Sequence, residues 1–361
     1  MKILQMPAYF LPEKGGIEHC VYYLAEEFLQ AGNRVTVLTS GKRNESEDMG
    51  GIMVQRVPAW RVMKSPVSLQ LFFALMREQP DVAHLHYPHP FWLETGALVC
   101  RLKGIPYVVH CHGKEIEISG WKNALARCYN RTVFSLVLQG SAAIVTNTRK
   151  VIPQSRLLQQ YRRKITTIPH GIDLRRFAPG RKAAQQAKTI LHVGSLRRYK
   201  GVEYIIAALP AVLARYPDTR LVIVGKGEQE GVLRKQAEQM GVAGHVEFRR
   251  SAEPEELRGI YARADAFVLA SPTIEESFGL VAFEALAMEV PTIVTSGAGV
   301  SEIFEDEGIP HVVAPRDPGA IAQRVIEVFS HRQKSYRNIL EKYQWERIAP
   351  QYLALYQQVM R

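Results

Sequence analysis

The chain has 361 residues, 47% of them hydrophobic and 22% charged, a balance that predicts a globular enzyme of about two domains and excludes a disordered or fibrous chain. No run of about 18 apolar residues occurs, which excludes a helix that crosses a bilayer, and the short apolar stretch 1–7 reads as a first strand and not as a secretory signal. The net charge of +11 is one-sided: residues 1–180 hold 23 Lys and Arg against 13 Asp and Glu, whereas residues 181–361 hold 23 against 22.

In chain order, residues 2–6 predict a strand. Gly15 and Gly16 follow, and residues 17–31 space Val21, Leu24, Ala25, Phe28 and Leu29 as one face of a helix that Gly32 and Asn33 end. Residues 34–39, 81–85, 107–110 and 142–146 predict further strands. Two stretches interrupt the alternation. Residues 60–77 mix Trp60, Leu69, Phe72 and Phe73 with Arg61, Lys64 and Arg77, and residues 121–138 mix Trp121, Leu125, Tyr129 and Phe134 with Lys122, Arg127 and Arg131. Basic amphipathic helices with aromatics lie in membrane interfaces, and the positive balance of this half points the same way; ordinary packing of a surface helix is the alternative.

The polar stretch 175–188 predicts a linker. After it, strands at 189–193, 220–224, 245–248, 266–269 and 292–295 alternate with helices at 204–215, 230–240, 254–263, 280–287 and 318–330. This is the pattern of an α/β protein with two doubly wound, Rossmann-like domains, whose ligands bind beyond the carboxyl ends of the strands in a cleft. Residues 339–360, with Tyr343, Trp345, Ile348, Tyr352 and Tyr356, predict a closing amphipathic helix. Cys20, Cys100, Cys111 and Cys128 form no C-x-x-C pair, so neither a zinc site nor a redox dithiol is expected, and reduced thiols in the cytoplasm are.

The chemistry concentrates in residues 270–302, ASPTIEESFGLVAFEALAMEVPTIVTSGAGVSE. A loop carrying Glu275 and Glu276 leads into a helix at Phe278-Gly279-Leu280, and Glu284 lies inside that helix. Amide groups at a helix start bind phosphate, Gly279 permits close approach of a ligand, and a carboxylate can accept from paired sugar or ribose hydroxyls. Glu276 and Glu284, inside the frame S-x4-E-x-F-G-L-x3-E-A-x-A, resemble the E-x7-E motif of glycosyltransferase family 4, retaining enzymes of the GT-B fold.

The resemblance extends over nearly the whole chain. It implies that Glu276 contacts the donor sugar, Glu284 the ribose, and Lys200 the donor diphosphate, with Gly194, Ser195, Arg197, Gly225, Lys226, Phe278, Gly279 and Leu280 lining the donor site. Ser195 stands where the family carries arginine, so Arg197 or Arg198 is the substitute. His170 replaces the usual asparagine of the interdomain segment, and Glu289 sits where glycine is commoner. In the first half, Gly16 matches a glycine loop that touches the donor phosphate, and His112 matches the active-site histidine beside sugar and acceptor. His84, His86 and His89 cluster near another strand end; His86 is expected to line the acceptor pocket, and H-x-H-x-x-H is not a dedicated metal pattern. The catalytic set is then His112, Glu276 and Lys200, with His86 and His112 on the acceptor side. No D-x-D occurs, so neither a metal nor any other cofactor is expected.

These implications divide the chain into an acceptor-binding domain at 1–170, a linker at 171–188, a nucleotide-sugar-binding domain at 189–340, and a tail at 341–361 that crosses back to the first domain. The expected enzyme is a retaining, metal-independent hexosyltransferase. It takes a UDP- or GDP-sugar and a lipid-linked glycan, such as a polyprenyl-diphosphate glycan or lipopolysaccharide core, peripherally at the cytoplasmic face of an anionic membrane. The alternatives are a soluble acceptor such as a sugar phosphate, or a nucleotide-sugar epimerase of similar architecture. A nucleic-acid partner is not expected, because the basic residues are dispersed and no recognisable module appears.

Overall fold

The computed structural model describes the chain apart from residues 14, 63–64, 117–121, 180–186 and 332–333. It divides into two compact units, Met1–Gly171 with Trp345–Arg361, and Ile172–Gln344.

The first unit holds strands β1 (Lys2–Met6), β2 (Arg34–Gly41), β3 (Glu45–Met49), β4 (Ile52–Pro58), β5 (Trp60–Val62), β6 (Ser65–Val67), β7 (Val82–Tyr87), β8 (Tyr107–Cys111), β9 (Ala143–Thr146) and β10 (Ile165–Thr167). Eight of them form one sheet in the order β10-β9-β8-β7-β1-β2-β4-β3, parallel except for the edge strand β3. Every residue of β7 and β8 is buried, as expected for central parallel strands covered by helices on both faces. The helices are α1 (Gly16–Gln30), α2 (Leu69–Arg77), α3 (Trp92–Lys103), α4 (Lys122–Tyr129), α5 (Ser135–Gly140) and the short α6 (Arg156–Gln160).

The two irregular stretches fold differently from simple helices. In residues 60–77, β5 and β6 pair as an antiparallel hairpin before α2 begins. Pro66 is the reason, since proline disfavours helix both at its own position and at the residue before it. Ser68 then caps α2 by accepting from the Leu71 amide at 3.3 Å. In residues 121–138, α4 and α5 are joined by a π-helical turn at Asn130–Phe134, where the buried Asn130 donates from Nδ2 to the Ile116 carbonyl at 2.8 Å. Met63, Lys64 and Trp121 lie outside the described residues.

The second unit holds strands β11 (Thr189–Val193), β12 (Arg220–Val224), β13 (Val246–Arg249), β14 (Ala266–Leu269), β15 (Thr292–Thr295) and β16 (Val312–Val313), all parallel, in the order β13-β12-β11-β14-β15-β16. Its helices are α7 (Val202–Arg215), α8 (Glu230–Gln239), α9 (Pro254–Arg263), α10 (Leu280–Ala287), α11 (Ser301–Asp306) and α12 (Pro318–Ser330). Alternation along β14 separates the core into two layers: Phe267 and Leu269 pack on one face of the sheet, Ala266 and Val268 on the other. Ile172, Leu174 and Phe177 are buried in the first of these layers, so the part of the linker region before residue 178 is packed core of the second unit.

Helix α13 (Trp345–Val359) ends the chain within the first unit and packs on α1. Tyr23 stacks on Trp345 with ring centroids 5.7 Å apart, and Phe28 meets Tyr356 edge-on at 5.6 Å.

Candidate active site

Both sheets reverse their strand order at one point, and that is where ligands bind in open α/β sheets. In the second unit the reversal lies between β11 and β14, so the loops after Val193 and Leu269 are the candidates. The first of these is laced to the loop after β12 by backbone hydrogen bonds, Gly194 to Val224 at 2.9 Å and Leu196 to Lys226 at 3.0 Å. A Cβ on Gly225 would run into the Gly194 carbonyl, so the two loops approach this closely only through glycine. Gly194 and Ser195 are therefore held in place, while Arg197 and Lys226 project into solvent. Arg198 lines a separate cavity of about 510 Å³ with Tyr199, Glu203, Thr273, Glu275 and Arg316.

The loop after β14 is pinned in turn by the Gly299 amide donating to the Glu276 carbonyl at 2.9 Å and the Val300 amide to the Phe278 carbonyl at 2.7 Å. Gly279 caps α10 at φ +98°, a conformation that side chains resist, and a Cβ there would sit 2.7 Å from Leu269. No side chain caps α10, so its first amides face outward without intrahelical partners. Phe278 is buried against Phe283, with centroids 5.1 Å apart, and so can meet a ligand only through its backbone.

Lys200 and Glu276 form a short ion pair whose side chains are 12% and 11% exposed. Two residues 76 apart in sequence are thus brought together at the start of α10. Glu284 is half-buried on that helix and accepts from the Tyr261 hydroxyl at 2.9 Å. Burial pushes the Glu284 carboxyl above its ordinary range, opposed by the Tyr261 hydrogen bond and by the Arg176 charge.

Sequence reasoning assigned no role to Tyr261 or to His192. His192 donates from Nδ1 to the Val268 carbonyl at 3.0 Å, which leaves Nε2 buried without a partner beneath Gly194. Burial holds its pKa down at about 4. A single histidine in the apolar run of β11 was the only signal.

In the first unit the reversal lies between β1 and β7, and histidines fill it. His84 and His86 come from β7, His110 from β8, and His112 and His170 from the loops beyond β8 and β10. The rings of His110 and His112 stack with centroids 3.8 Å apart. His84, His86, His110 and His170 are at most 5% exposed; His112 alone of the five keeps appreciable exposure. Burial drives His84 and His170 down to about 3 and His86, His110 and His112 well below the ordinary range, so all five are neutral at pH 7. His86 does not reach a surface. It lies 2.8 Å from Gln5 and 2.9 Å from His112, and meets any ligand only through His112.

His84, His86 and His110 offer nitrogens within 4.8 Å of one another, the geometry that raises the question of a metal. The rings of His84 and His110 lie within 7° of parallel and stack face to face, so their in-plane lone pairs do not converge on one point. His89 stands apart, edge-on to Tyr9 at 5.2 Å. Gly16 opens α1, with Gly15 as an extended cap and no side-chain cap.

Two parallel-sheet units with their polar residues at the reversal points define a glycosyltransferase of the GT-B fold. Residues 14–176 match the family described as "Glycosyltransferase Family 4" and residues 176–345 the one described as "Glycosyl transferases group 1", and the chain belongs to this glycosyltransferase family. A glycosyltransferase of Methanocaldococcus jannaschii, itself uncharacterized, is 28% identical over 96% of this chain and 95% of its own. A GDP-mannose:cellobiosyl-diphosphopolyprenol alpha-mannosyltransferase of Xanthomonas oryzae is 25% identical over 99% and 96%. An Anabaena protein solved with UDP-glucose shares the fold at a TM-score of 0.74 and 17% identity, over 99% of this chain and 100% of its own.

Proposed function

We propose that this glycosyltransferase is a retaining, metal-independent hexosyltransferase that moves a sugar from a nucleoside diphosphate-sugar to a hydroxyl of a lipid-linked glycan at the cytoplasmic face of an anionic membrane. The observation that carries the donor half is the Lys200–Glu276 pair at the start of α10, with Glu284 eight residues on. Lys200 and the first amides of α10 supply positive charge for the diphosphate, the work a metal does elsewhere. Glu276 exchanges Lys200 for hydroxyls of the sugar, and Glu284 accepts from the ribose. The bond from the anomeric carbon to the diphosphate breaks, the acceptor oxygen bonds to the same face, and its proton leaves on the departing phosphate. His112 serves the hydroxyl side.

The acceptor half rests on the surface of the first unit. Helix α3 packs beside α2, α5 and the β5–β6 hairpin. The outward sides of these elements, with α4 and the π-helical turn that lead into α5, expose Trp60, Leu69, Phe73, Leu102, Leu125 and Leu136, from 54% to 75% of each residue, together with Arg77, Arg101, Arg127 and Arg131. Apolar area ringed by arginine is the chemistry of an interfacial surface. The likeness to an enzyme named for a diphosphopolyprenol acceptor supports the same choice. Among the described residues no helix is long and apolar enough to cross a membrane.

Two measurements test the proposal. Glu284→Ala is expected to weaken donor binding and kcat/KM about 30- to 100-fold in titrations with UDP-, GDP- and ADP-sugars. Wild-type affinity and turnover in that variant would overturn the donor site. The triple change Arg101, Arg127 and Arg131 to Gln is expected to lower flotation with phosphatidylglycerol vesicles about 100-fold, at about 1 kcal/mol per charge. Undiminished flotation would sink the membrane assignment.

A further inference from the structure

We propose that Gln5 and His86 are positioning residues that hold His112 in the tautomer with its proton on Nε2, so that Nδ1 faces a substrate hydroxyl as a bare hydrogen-bond acceptor. The inference rests on the assignment of His112 to the hydroxyl side of the reaction, and adds how that ring is set.

The argument is a count of protons along one chain of contacts. Gln5 is fully buried in the central strand β1, and its Oε1 lies 2.8 Å from Nε2 of His86. With its oxygen towards His86 the amide accepts, so Nε2 of His86 carries the proton and donates, while the Gln5 amide nitrogen is buried without a hydrogen-bond partner. His86 is buried against three other imidazoles, and a second proton there would be a charge that no carboxylate among the described residues is seen to pair with. Its Nδ1 is therefore a lone pair. That lone pair lies 2.9 Å from Nε2 of His112, which must donate to it. The proton of His112 is thereby fixed on Nε2, and Nδ1 is left as the acceptor.

The physical value lies in preorganisation. A free imidazole divides between two tautomers, and only one offers a lone pair in a given direction. Gln5 sets a choice two hydrogen bonds away at a ring it does not touch, as second partners orient functional histidines elsewhere. His112 is the one member of the layer with appreciable exposure, so the setting reaches the surface at that ring.

Nitrogen-15 correlation spectra of the histidine rings, with His112 assigned by His112→Gln, read the tautomers directly and need no substrate. The expected spectrum shows His112 protonated on Nε2 alone. Gln5→Leu, close in volume but without an acceptor, is expected to give a tautomer mixture at His112 and a kcat lowered about tenfold with the donor KM unchanged. Gln5→Glu supplies a charge that lets His86 hold both ring protons and donate from Nδ1, and is expected to move the His112 proton to Nδ1 and to lower kcat about tenfold. Should Gln5→Leu not fold, His86→Asn cuts the same link and is read in the same way. A wild-type His112 protonated on Nδ1, or a ring spectrum unmoved by Gln5→Leu, would overturn the proposal. A spectrum that changes while kcat does not would overturn the assignment of His112 to the hydroxyl and leave the donor site of the second unit standing.

Discussion

The two units put their polar residues at the same place in the same topology and fill it with opposite chemistry. In the second unit, loops beyond β11 and β14 hold Lys200 and Glu276 against each other as a largely buried ion pair. In the first, β7 and β8 carry a stack of imidazoles with no carboxylate partner among the described residues, kept neutral by burial. The difference teaches how buried polar groups are kept stable in each unit. A buried charge needs its opposite, whereas a buried imidazole can simply decline the proton.

The largest test of this contrast is acidification. His84, His86, His110 and His170 have folded pKa values below the ordinary value near 6.5, so the unfolded chain gains protons that the folded unit refuses as pH falls. Stability present above about pH 6.5 is therefore lost progressively below it, towards about pH 3. At pH 5 His84 and His170, held near 3, each cost about 2 kcal/mol, and His86 and His110 act in the same direction. The second unit holds two such rings, His192 and His311, both near 4. Hydrogen exchange at pH 5 is expected to show β7 and β8 deprotected before β11 and β14. The reverse order, or simultaneous loss, would break the comparison.

Lys200→Ala comes next. Removing the lysine strands Glu276 as a largely buried charge and strips the diphosphate of its cation. Steady-state kinetics are expected to show about 100-fold lower kcat or more, near 3 kcal/mol of transition-state stabilisation. The acid response of the first unit should stay as in wild type. A kcat within about threefold of wild type would mean the pair is structural.

The smallest expected effect sharpens the picture of Glu284. Tyr261→Phe removes the 2.9 Å hydrogen bond to that carboxylate and little volume. About 1 kcal/mol, or a fivefold rise in donor KM with kcat held, is the expected outcome in initial-rate assays. No change in KM would show that Tyr261 does not orient Glu284 for the ribose.

What could be read before folding and what could not separates along the range of the information. Strands β11, β12, β14 and β15 fall where their short apolar runs bounded by polar or turn residues put them, and Glu276 and Glu284 share one loop and helix. The hairpin at β5–β6 shows the limit even locally, since aromatic and basic composition resembled a helix and Pro66 decided otherwise. Helix α3, with Leu102 and Arg101 between the two stretches already suspected, completes a surface that no single segment displays.

The sequence by itself determined two α/β halves and the family they belong to, and it singled out Glu276, Glu284 and Lys200, because periodicity and short motifs are properties of neighbours along the chain. Only the tertiary structure decided that Lys200 meets Glu276, that Tyr261 holds Glu284, and that Gln5 reaches His112 through His86. Those contacts join residues from 23 to 81 positions apart, and it is the parallel sheet, whose crossover connections bring distant strands side by side, that creates them.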